Sequence, residues 1–140
     1  MSSQSGRLLI FTVAGERFAI PLQQVAEVLE PVTLSPIPKA PLMLMGIMNF
    51  HGSLVPLLDM SAFLHRGSSS QDGKIIVLDR HDAKLGLWVE PVVTVIPGEA
   101  VLEEENGEGL IDKVLITEEG ALSSLSVEYV LAGIEEAINS

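Results

Sequence analysis

Short apolar runs separated by turn-forming residues occupy most of the chain, and this pattern predicts strands rather than helices. Leu8–Val13 and Phe18–Ile20 flank a turn-like break, which predicts an opening β-hairpin. Lys74–Leu78 and Leu85–Val89 flank a second polar turn and predict another hairpin. The first part of the chain and its middle are therefore both expected to be β-rich.

Other segments extend this β-rich pattern with less regular spacing. Residues 22–29 mix helical with strand spacing and suit a short turn leading into a third strand. Four prolines between residues 31 and 41 forbid a helix and predict an extended or irregular crossing. Val92–Ile96 predicts a strand that stops at Pro97-Gly98, and Leu110–Ile116 predicts one more beyond a turn at Asn106-Gly107.

Only the C-terminal segment has clear helical spacing. Ser126 is a candidate N-cap, and Glu128 lies in the first turn, where a negative charge suits the helix dipole. One face of the predicted helix is apolar, through Val127, Val130, Leu131, Ile134 and Ile138. This apolar face is expected to pack on the β-structure.

Two hairpin-rich blocks of short strands closed by one helix predict a mostly β fold, and a pair of small β-barrels fits them better than a sandwich. The length of 140 residues suits one domain, within which two small intertwined subdomains would also fit. A Gly- and Ser-rich segment at residues 66–73 separates the two blocks. It is interpreted as a surface loop or internal linker.

Residues 46–59 predict a further hairpin with a distinctive turn. Asn49 and Gly52 tolerate the left-handed backbone region and frame a tight reversal between apolar runs. Phe50 and His51 are then expected at its exposed tip. A partner surface would explain an exposed Phe, and the alternative is that the ring folds back onto the core.

Composition narrows the class of protein. Apolar residues make up 47% of the chain, and mean hydropathy is +0.40, so a folded domain is expected. Cys is absent, which excludes disulfides and thiolate metal sites and fits a reducing cytoplasm. The longest apolar stretch, Ala40–Met48, contains Pro41 and Gly46 and is too short to span a membrane.

The net charge of −11 is concentrated toward the C-terminus. Residues 99–119 carry eight acidic side chains against Lys113 alone, and residues 120–140 add three acids and no base. Such a field would repel a phosphate backbone or an anionic membrane surface, so binding to neither is expected. Direct membrane insertion is not expected either, because the longest apolar stretch is too short. The acidic run is interpreted as a solvated loop, with a docking site as the alternative.

The candidate catalytic chemistry is sparse. His51, Ser53 and Asp59 have the residue types of a hydrolytic triad, but no nucleophile elbow or evident oxyanion donor accompanies them. Three scattered histidines give no metal-ligand spacing, and no glycine loop suits a phosphate. A small hydrolase using His51 and Asp59 stays as the alternative from another class, as does an oligomer-forming structural barrel.

The turn Asn49-Phe50-His51-Gly52 resembles the Asn-Leu-Arg-Gly hairpin of the CheW family of chemotaxis coupling proteins. The apolar strand Leu54–Asp59 resembles the strand that follows it there. The similarity covers most of the chain, through Leu9-Ile10-Phe11, Phe18-Ala19-Ile20, Val25-Ala26-Glu27-Val28 and Leu85–Glu90. It implies one CheW-like domain over residues 1–140, with two linked five-stranded β-barrels, SH3-like or OB-like, and a C-terminal helix.

The resemblance also implies a function and a set of sites. The protein would be a non-enzymatic, cytoplasmic adaptor without a cofactor, coupling a CheA-type histidine kinase to the cytoplasmic tip of methyl-accepting chemotaxis receptors in membrane arrays. By matching position, the apolar receptor groove would comprise Leu9, Leu22, Val25, Val28 and Val92. Its polar rim would comprise Glu27, Asn49, Phe50 and His51. The kinase would dock elsewhere, on the second barrel near Ile75.

The sequence differs from the family's usual pattern at one position and in one short segment. His51 stands where the family's hairpin usually carries Arg, which replaces a permanent cation with a group that titrates near neutrality. Residues 121–126 are more polar than the usual final strand. A divergent scaffold of a non-chemotaxis signalling array is therefore a further alternative.

Overall fold

The computed structural model describes residues 6–67 and 71–139. Residues 68–70 of the predicted loop lie outside the described residues. In chain order the strands are β1 (Arg7–Val13), β2 (Glu16–Pro21), β3 (Val25–Leu29), β4 (Leu44–Phe50), β5 (Ser53–Asp59), β6 (Lys74–Leu78), β7 (Gly86–Val89), β8 (Thr94–Pro97), β9 (Glu103–Glu108), β10 (Ile111–Thr117) and β11 (Gly120–Leu125). The helices are α1 (Met60–Phe63) and α2 (Val127–Asn139), with 3₁₀ turns at Leu22–Gln24 and Gly98–Ala100.

The first sheet contains six strands in the order β8-β1-β2-β11-β10-β9. Its two edge strands, β8 and β9, are joined by only the residues of the Gly98–Ala100 turn and the two that follow. Leu102 continues this link onto the sheet, because its amide donates to the Ile116 carbonyl at 2.7 Å. The short connection holds the two edges near each other, so the sheet curls into a barrel.

The second sheet contains five strands in the order β3-β6-β7-β5-β4. The chain beyond β3 crosses to the opposite edge, where Ser35 forms an isolated antiparallel bridge with Ile47 of β4. The Ser35 amide donates to the Ile47 carbonyl at 2.8 Å, and the Ile47 amide donates back at 2.7 Å. This bridge closes the second sheet into a barrel. The proline-rich segment forms the crossing, which was predicted to be extended or irregular, and it is irregular, with turns at residues 38–39 and 42–43.

Three apolar clusters form the interior, because the central strands are buried on both faces. Leu8 and Ile10 of β1 face a cluster inside the first barrel, whereas Leu9 and Phe11 of the same strand face the cluster between the barrels. In β6, alternate residues face a third cluster inside the second barrel and the cluster between the barrels. Such strands read as continuous apolar runs rather than as alternating ones.

The mostly β prediction with two barrels and a C-terminal helix is confirmed, with six strands rather than five in the first sheet. The sixth is β8, which pairs with the outer edge of β1. The 66–73 segment does not separate the two sheets, since β3 to β7 all belong to the second one. The first sheet instead combines both ends of the chain through the parallel pairing of β2 with β11.

Several local predictions need correction. Asn106 and Gly107 lie within β9, and the reversal follows at residues 109–110, so much of the acidic run is an edge strand rather than a loop. The strand predicted over Val92–Ile96 begins at Thr94. Helix α1 has only four residues, too few to produce a helical pattern in the sequence.

The predicted packing of α2 is confirmed for most of its apolar face. Val130 and Ile134 are buried in the cluster between the barrels, and Val127 and Leu131 pack against it. Ile138, near the helix end, is exposed. Ser126 caps the helix as predicted, since its Oγ accepts a hydrogen bond from the Tyr129 amide at 3.2 Å.

Candidate partner-binding site

The β4–β5 hairpin ends in a two-residue turn made by His51 and Gly52. Their φ angles are +49° and +86°, and two successive positive values are typical of the type I′ turn that joins twisted strands. The Asn49 Oδ1 accepts a hydrogen bond from the Gly52 amide at 2.9 Å and fixes the reversal. The predicted tight turn is therefore present, and the His51 side chain projects from it into solvent.

Phe50 does not lie at the tip, contrary to the prediction. It is the last residue of β4, pairs with Ser53, and is half-buried against the cluster inside the second barrel. Its ring centroid is 4.4 Å from that of His51, with an angle of 68° between the ring planes. Folding back of the ring, the alternative at this position, accounts for Phe50, because the ring gains apolar contacts there.

The polar rim residues Glu27 and His51 lie together although they belong to different strands. His51 Nε2 is 3.6 Å from Glu27 Oε1, which makes an ion pair when the imidazole is protonated. Glu27 lies on β3 and His51 follows β4, so closure of the barrel brings them into contact. Both side chains are exposed, and such pairs contribute at most about 1 kcal/mol to stability.

The apolar residues predicted to bind a receptor differ in exposure. Leu22 and Val25 are half-buried at the margin of the cluster between the barrels. Val28 is 36% exposed and Val92 is 70% exposed, so both can meet a partner directly. Leu9 is only 2% exposed and lies inside the cluster, so it cannot line a groove in this structure. Burial of β1 on both faces explains this difference from the prediction.

Ile75, predicted near the kinase surface, is also an interior residue. It is 1% exposed and belongs to the cluster inside the second barrel. Its strand, β6, lies between β3 and β7, so both of its edges are paired. Ile75 can therefore support a surface from within but cannot itself contact a partner in this structure.

A cavity of about 300 Å³ opens behind the hairpin tip, at one end of the second barrel. Phe50, His51 and Ser53 line one side of it. Arg80 and Lys84, from the β6–β7 turn, line another side and were missed by the sequence analysis. They are ordinary turn residues in the sequence, and only the barrel geometry places them beside the hairpin.

The β6–β7 turn holds its shape through Asp79. The Asp79 Oδ1 accepts hydrogen bonds from the His81 amide at 2.9 Å and contacts His81 Nδ1 at the same distance. The hydrogen bond from the His81 amide is the main cause that lowers the pKa of the Asp79 carboxyl below its ordinary value, with the His81 side chain next. The carboxylate form therefore stabilises this side of the cavity.

The hydrolytic triad is not assembled. Asp59 is buried at the far end of β5 from the hairpin tip, about 20 Å away by strand length. Its carboxylate accepts hydrogen bonds from the Ser61 and Ala62 amides, at 3.0 and 3.3 Å, and caps α1. Among residues 6–67 and 71–139 no cluster of His, Asp and Glu could hold a metal ion. No helix in those ranges has the length and apolarity to cross a membrane.

FrzA and CheW are among the known proteins that are similar in sequence to this chain. FrzA of Myxococcus xanthus is 30% identical over 97 residues, covering 62% of this chain and 61% of FrzA. The chemotaxis protein CheW of Treponema pallidum is 24% identical over 111 residues, covering 75% of this chain and 64% of that protein. The matched part of this chain spans less than two thirds of the length of either relative.

The fold itself is also shared with a solved structure. The scaffolding protein CheW from Thermoanaerobacter tengcongensis superposes with a TM-score of 0.76 at 22% identity, covering 91% of this chain and 88% of that one. The CheW-like domain family matches residues 7–135, which is nearly the whole sequence. The chain belongs to the CheW-like domain family.

Proposed function

We propose that this protein is a non-enzymatic adaptor that holds a CheA-type histidine kinase against the cytoplasmic tip of a methyl-accepting chemotaxis receptor. Membership of the CheW-like family supports a scaffolding role, and relatives carry the names chemotaxis protein and scaffolding protein. The site itself offers surfaces for contact rather than groups for turnover. In the cell the protein would lie in the cytoplasm at receptor arrays.

The observation that carries this proposal is an apolar surface beside the Glu27–His51 pair. Val25 and Val28 lie on either side of Glu27 along β3, and they supply apolar area on the face of this edge strand that pairs with Leu78 and Ile76 of the cluster between the barrels. Leu22 and Val25 continue this area into the cluster between the barrels. An amphipathic helical hairpin could place its apolar face here and its polar residues against Glu27 and His51.

Buried and exposed residues have different roles in this proposal. Val92, strongly exposed, would add a direct apolar contact, while Leu9 would support the surface from beneath. Asn49 would preserve the turn that presents His51. The half-buried Phe50 would keep His51 facing Glu27 through its edge contact with the imidazole.

The kinase would dock on another face of the second barrel. Ile75 lies inside one end of that barrel, where its neighbours in β3 and β7 are Leu29 and Trp88. Val32, in the segment that follows β3, and Met45, in β4, are exposed apolar residues of the second barrel. They offer the direct contacts that Ile75, being buried, cannot make.

A charge placed in the receptor surface tests the proposal. Val25→Glu is expected to weaken binding to a receptor-tip fragment by about 2 kcal/mol, because a carboxylate would be buried against an apolar helix face. Kinase binding should stay at the parental level. The measurement is titration of the purified variant against an immobilised receptor tip and, separately, against the kinase.

Leu102→Glu is the matched control, since Leu102 is 52% exposed on the link that closes the first sheet. It makes the same change in charge away from the receptor surface and should bind as the parent does. Val25 also packs on the cluster between the barrels, so both variants must first melt near the parental temperature. A stably folded Val25→Glu protein with parental receptor affinity would overturn the receptor surface proposed here.

A further inference from the structure

A second apolar surface lies between α1 and α2, away from the proposed receptor surface. It is a groove of about 730 Å³. It is lined by Pro41–Met43, by α1 and the residues just after it, by Leu110, and by one face of α2 that includes Tyr129, Gly133 and Glu136. None of them belongs to the residues assigned to the receptor or the kinase.

The floor of the groove is formed by close packing of the two helices. A Cβ atom at Gly133 would lie 2.8 Å from the ring of Phe63, so the absence of a side chain lets Phe63 approach the α2 backbone. The outer lip is Leu42, which is 99% exposed. Because Leu42 lies beside the apolar residues of the groove, its exposed apolar area is available to a partner bound there.

The shape of the groove indicates the backbone conformation of its occupant. Its α2 wall runs from Tyr129 to Ala137, about 12 Å or two helical turns. Its walls are two helices and a loop rather than a free strand edge, so they offer no ladder of hydrogen bonds to an extended peptide. A helix makes its backbone hydrogen bonds internally, so it needs only an apolar stripe of about two turns to bind in this groove.

The charge around the groove indicates the polarity of that helix. Of the residues that line it, Glu136 is acidic and none is Lys or Arg. Residues 99–139 carry eleven acidic side chains against Lys113, which already lies 3.7 Å from Glu104. Helix α2 has no basic residue in its last turn to offset the dipole there. Glu136 in the lining and the net charge of −11 therefore favour a cationic partner over a second copy of the chain or an anionic membrane.

We propose that the groove between α1, α2 and Pro41–Met43 binds an amphipathic helix of another protein, with an apolar stripe flanked by Lys or Arg. Leu42 and the Phe63 ring contact the stripe, and Glu136 pairs with a flanking cation. This surface acts independently of the one that contains Val25, so the protein can hold this helix and a receptor at the same time.

A designed peptide provides the test. The probe is a helical peptide of about 14 residues with Leu at i, i+3, i+4 and i+7 and Lys elsewhere, and the controls are a scrambled Leu/Lys peptide and one with Glu for Lys. Amide chemical shifts of the full chain are expected to change at Leu42, Tyr129 and Gly133. Leu42→Ser should weaken binding about tenfold, as expected for loss of one buried Leu contact.

Leu102→Ser is the matched control, because it removes an exposed Leu that lies within the acidic residues 99–139 but outside the groove lining. It should bind the peptide within about twofold of the parent, and so should Val25→Glu. Equal binding of the scrambled peptide, or shifts centred on β9, would show general attraction to carboxylates and overturn the proposal. Self-association of the parent that Leu42→Ser abolishes would overturn it in favour of a second copy.

Discussion

At the scale of single residues, burial decides which side chains can act on a partner. Asp59 has the residue type of a catalytic acid, yet its carboxylate accepts amide hydrogen bonds and caps α1. Leu9 and Ile75 have the positions of partner-binding residues, yet both lie in apolar clusters. Residue type and position along the chain do not report burial on both faces of a strand. Matching by position therefore implied a groove position for Leu9 and a kinase surface near Ile75, although both side chains are buried.

The hydrogen bonds to Asp79 give a prediction about pH. Because the folded-state pKa is lowered, the carboxylate stabilises the folded protein above its ordinary pKa, and this contribution is lost as pH falls through the lowered value. Carboxyl-carbon NMR titration should show Asp79 titrating below its ordinary value. His81→Ala should restore only part of the difference, since the main cause is the His81 amide, which the variant keeps.

Asp79→Asn extends the test to stability. Its stability deficit relative to the parent, measured by urea unfolding, should shrink as pH is lowered into the acid range. Asp82→Asn is the control, because no side-chain hydrogen bond involves Asp82 in the described part of the chain. Full recovery of the ordinary pKa in His81→Ala would instead assign the effect to the imidazole.

At the scale of elements, the sequence predicts the helix and turns that have strong local patterns. It does not predict features that depend on a close approach of two backbones. The spacing of apolar residues and the Ser126 cap predicted α2, and the Asn49 and Gly52 pattern predicted the hairpin turn. Asn106-Gly107 carried an equally clear turn signal but lies in a strand. There Gly107 is opposite the β10 backbone at the point where β10 shifts register with β11. Glycine is required there because the β9 and β10 backbones approach each other closely, and not because the chain reverses direction.

Gly107→Ala tests this interpretation of β9. A Cβ atom at Gly107 would clash with the Ile111 carbonyl oxygen, a backbone atom that cannot rotate away. We expect the free energy of unfolding to fall by about 2 kcal/mol or more. Asn106→Ala, at the exposed neighbouring position, should change it by less than about 0.5 kcal/mol. Similar stability of the two variants would mean that the β9–β10 pairing is looser than described.

At the scale of the whole molecule, the site depends on contacts between distant parts of the chain. The Glu27–His51 pair needs the Ser35–Ile47 bridge that closes the second barrel. The first sheet needs β2 to pair with β11, more than a hundred residues later in the chain. Periodicity predicts strands but not their partners. The two-barrel fold was therefore predictable in kind, whereas strand membership and the Arg80 and Lys84 side of the cavity were not.

The acidic charge also has a whole-molecule consequence. It lies on the first sheet and α2, whereas the proposed receptor surface lies beside β3 of the second sheet. The affinity for the receptor is therefore expected to depend mainly on apolar area, and the affinity of the groove beside α2 for a cationic helix is expected to depend on charge. Raised salt should weaken binding of the cationic helix more than binding of the receptor.

The most direct test of the adaptor function is to measure whether this protein bridges the receptor and the kinase. Assembled receptor-tip fragments and a CheA-type kinase are sedimented with and without this protein, and the kinase in the pellet is quantified. We expect kinase to sediment with the receptor in proportion to added protein, and we expect the Val25→Glu variant to remove most of this gain while Leu102→Glu keeps it. Kinase sedimentation that is unchanged by the parent protein, although parent and kinase are both folded, would contradict the proposed adaptor function.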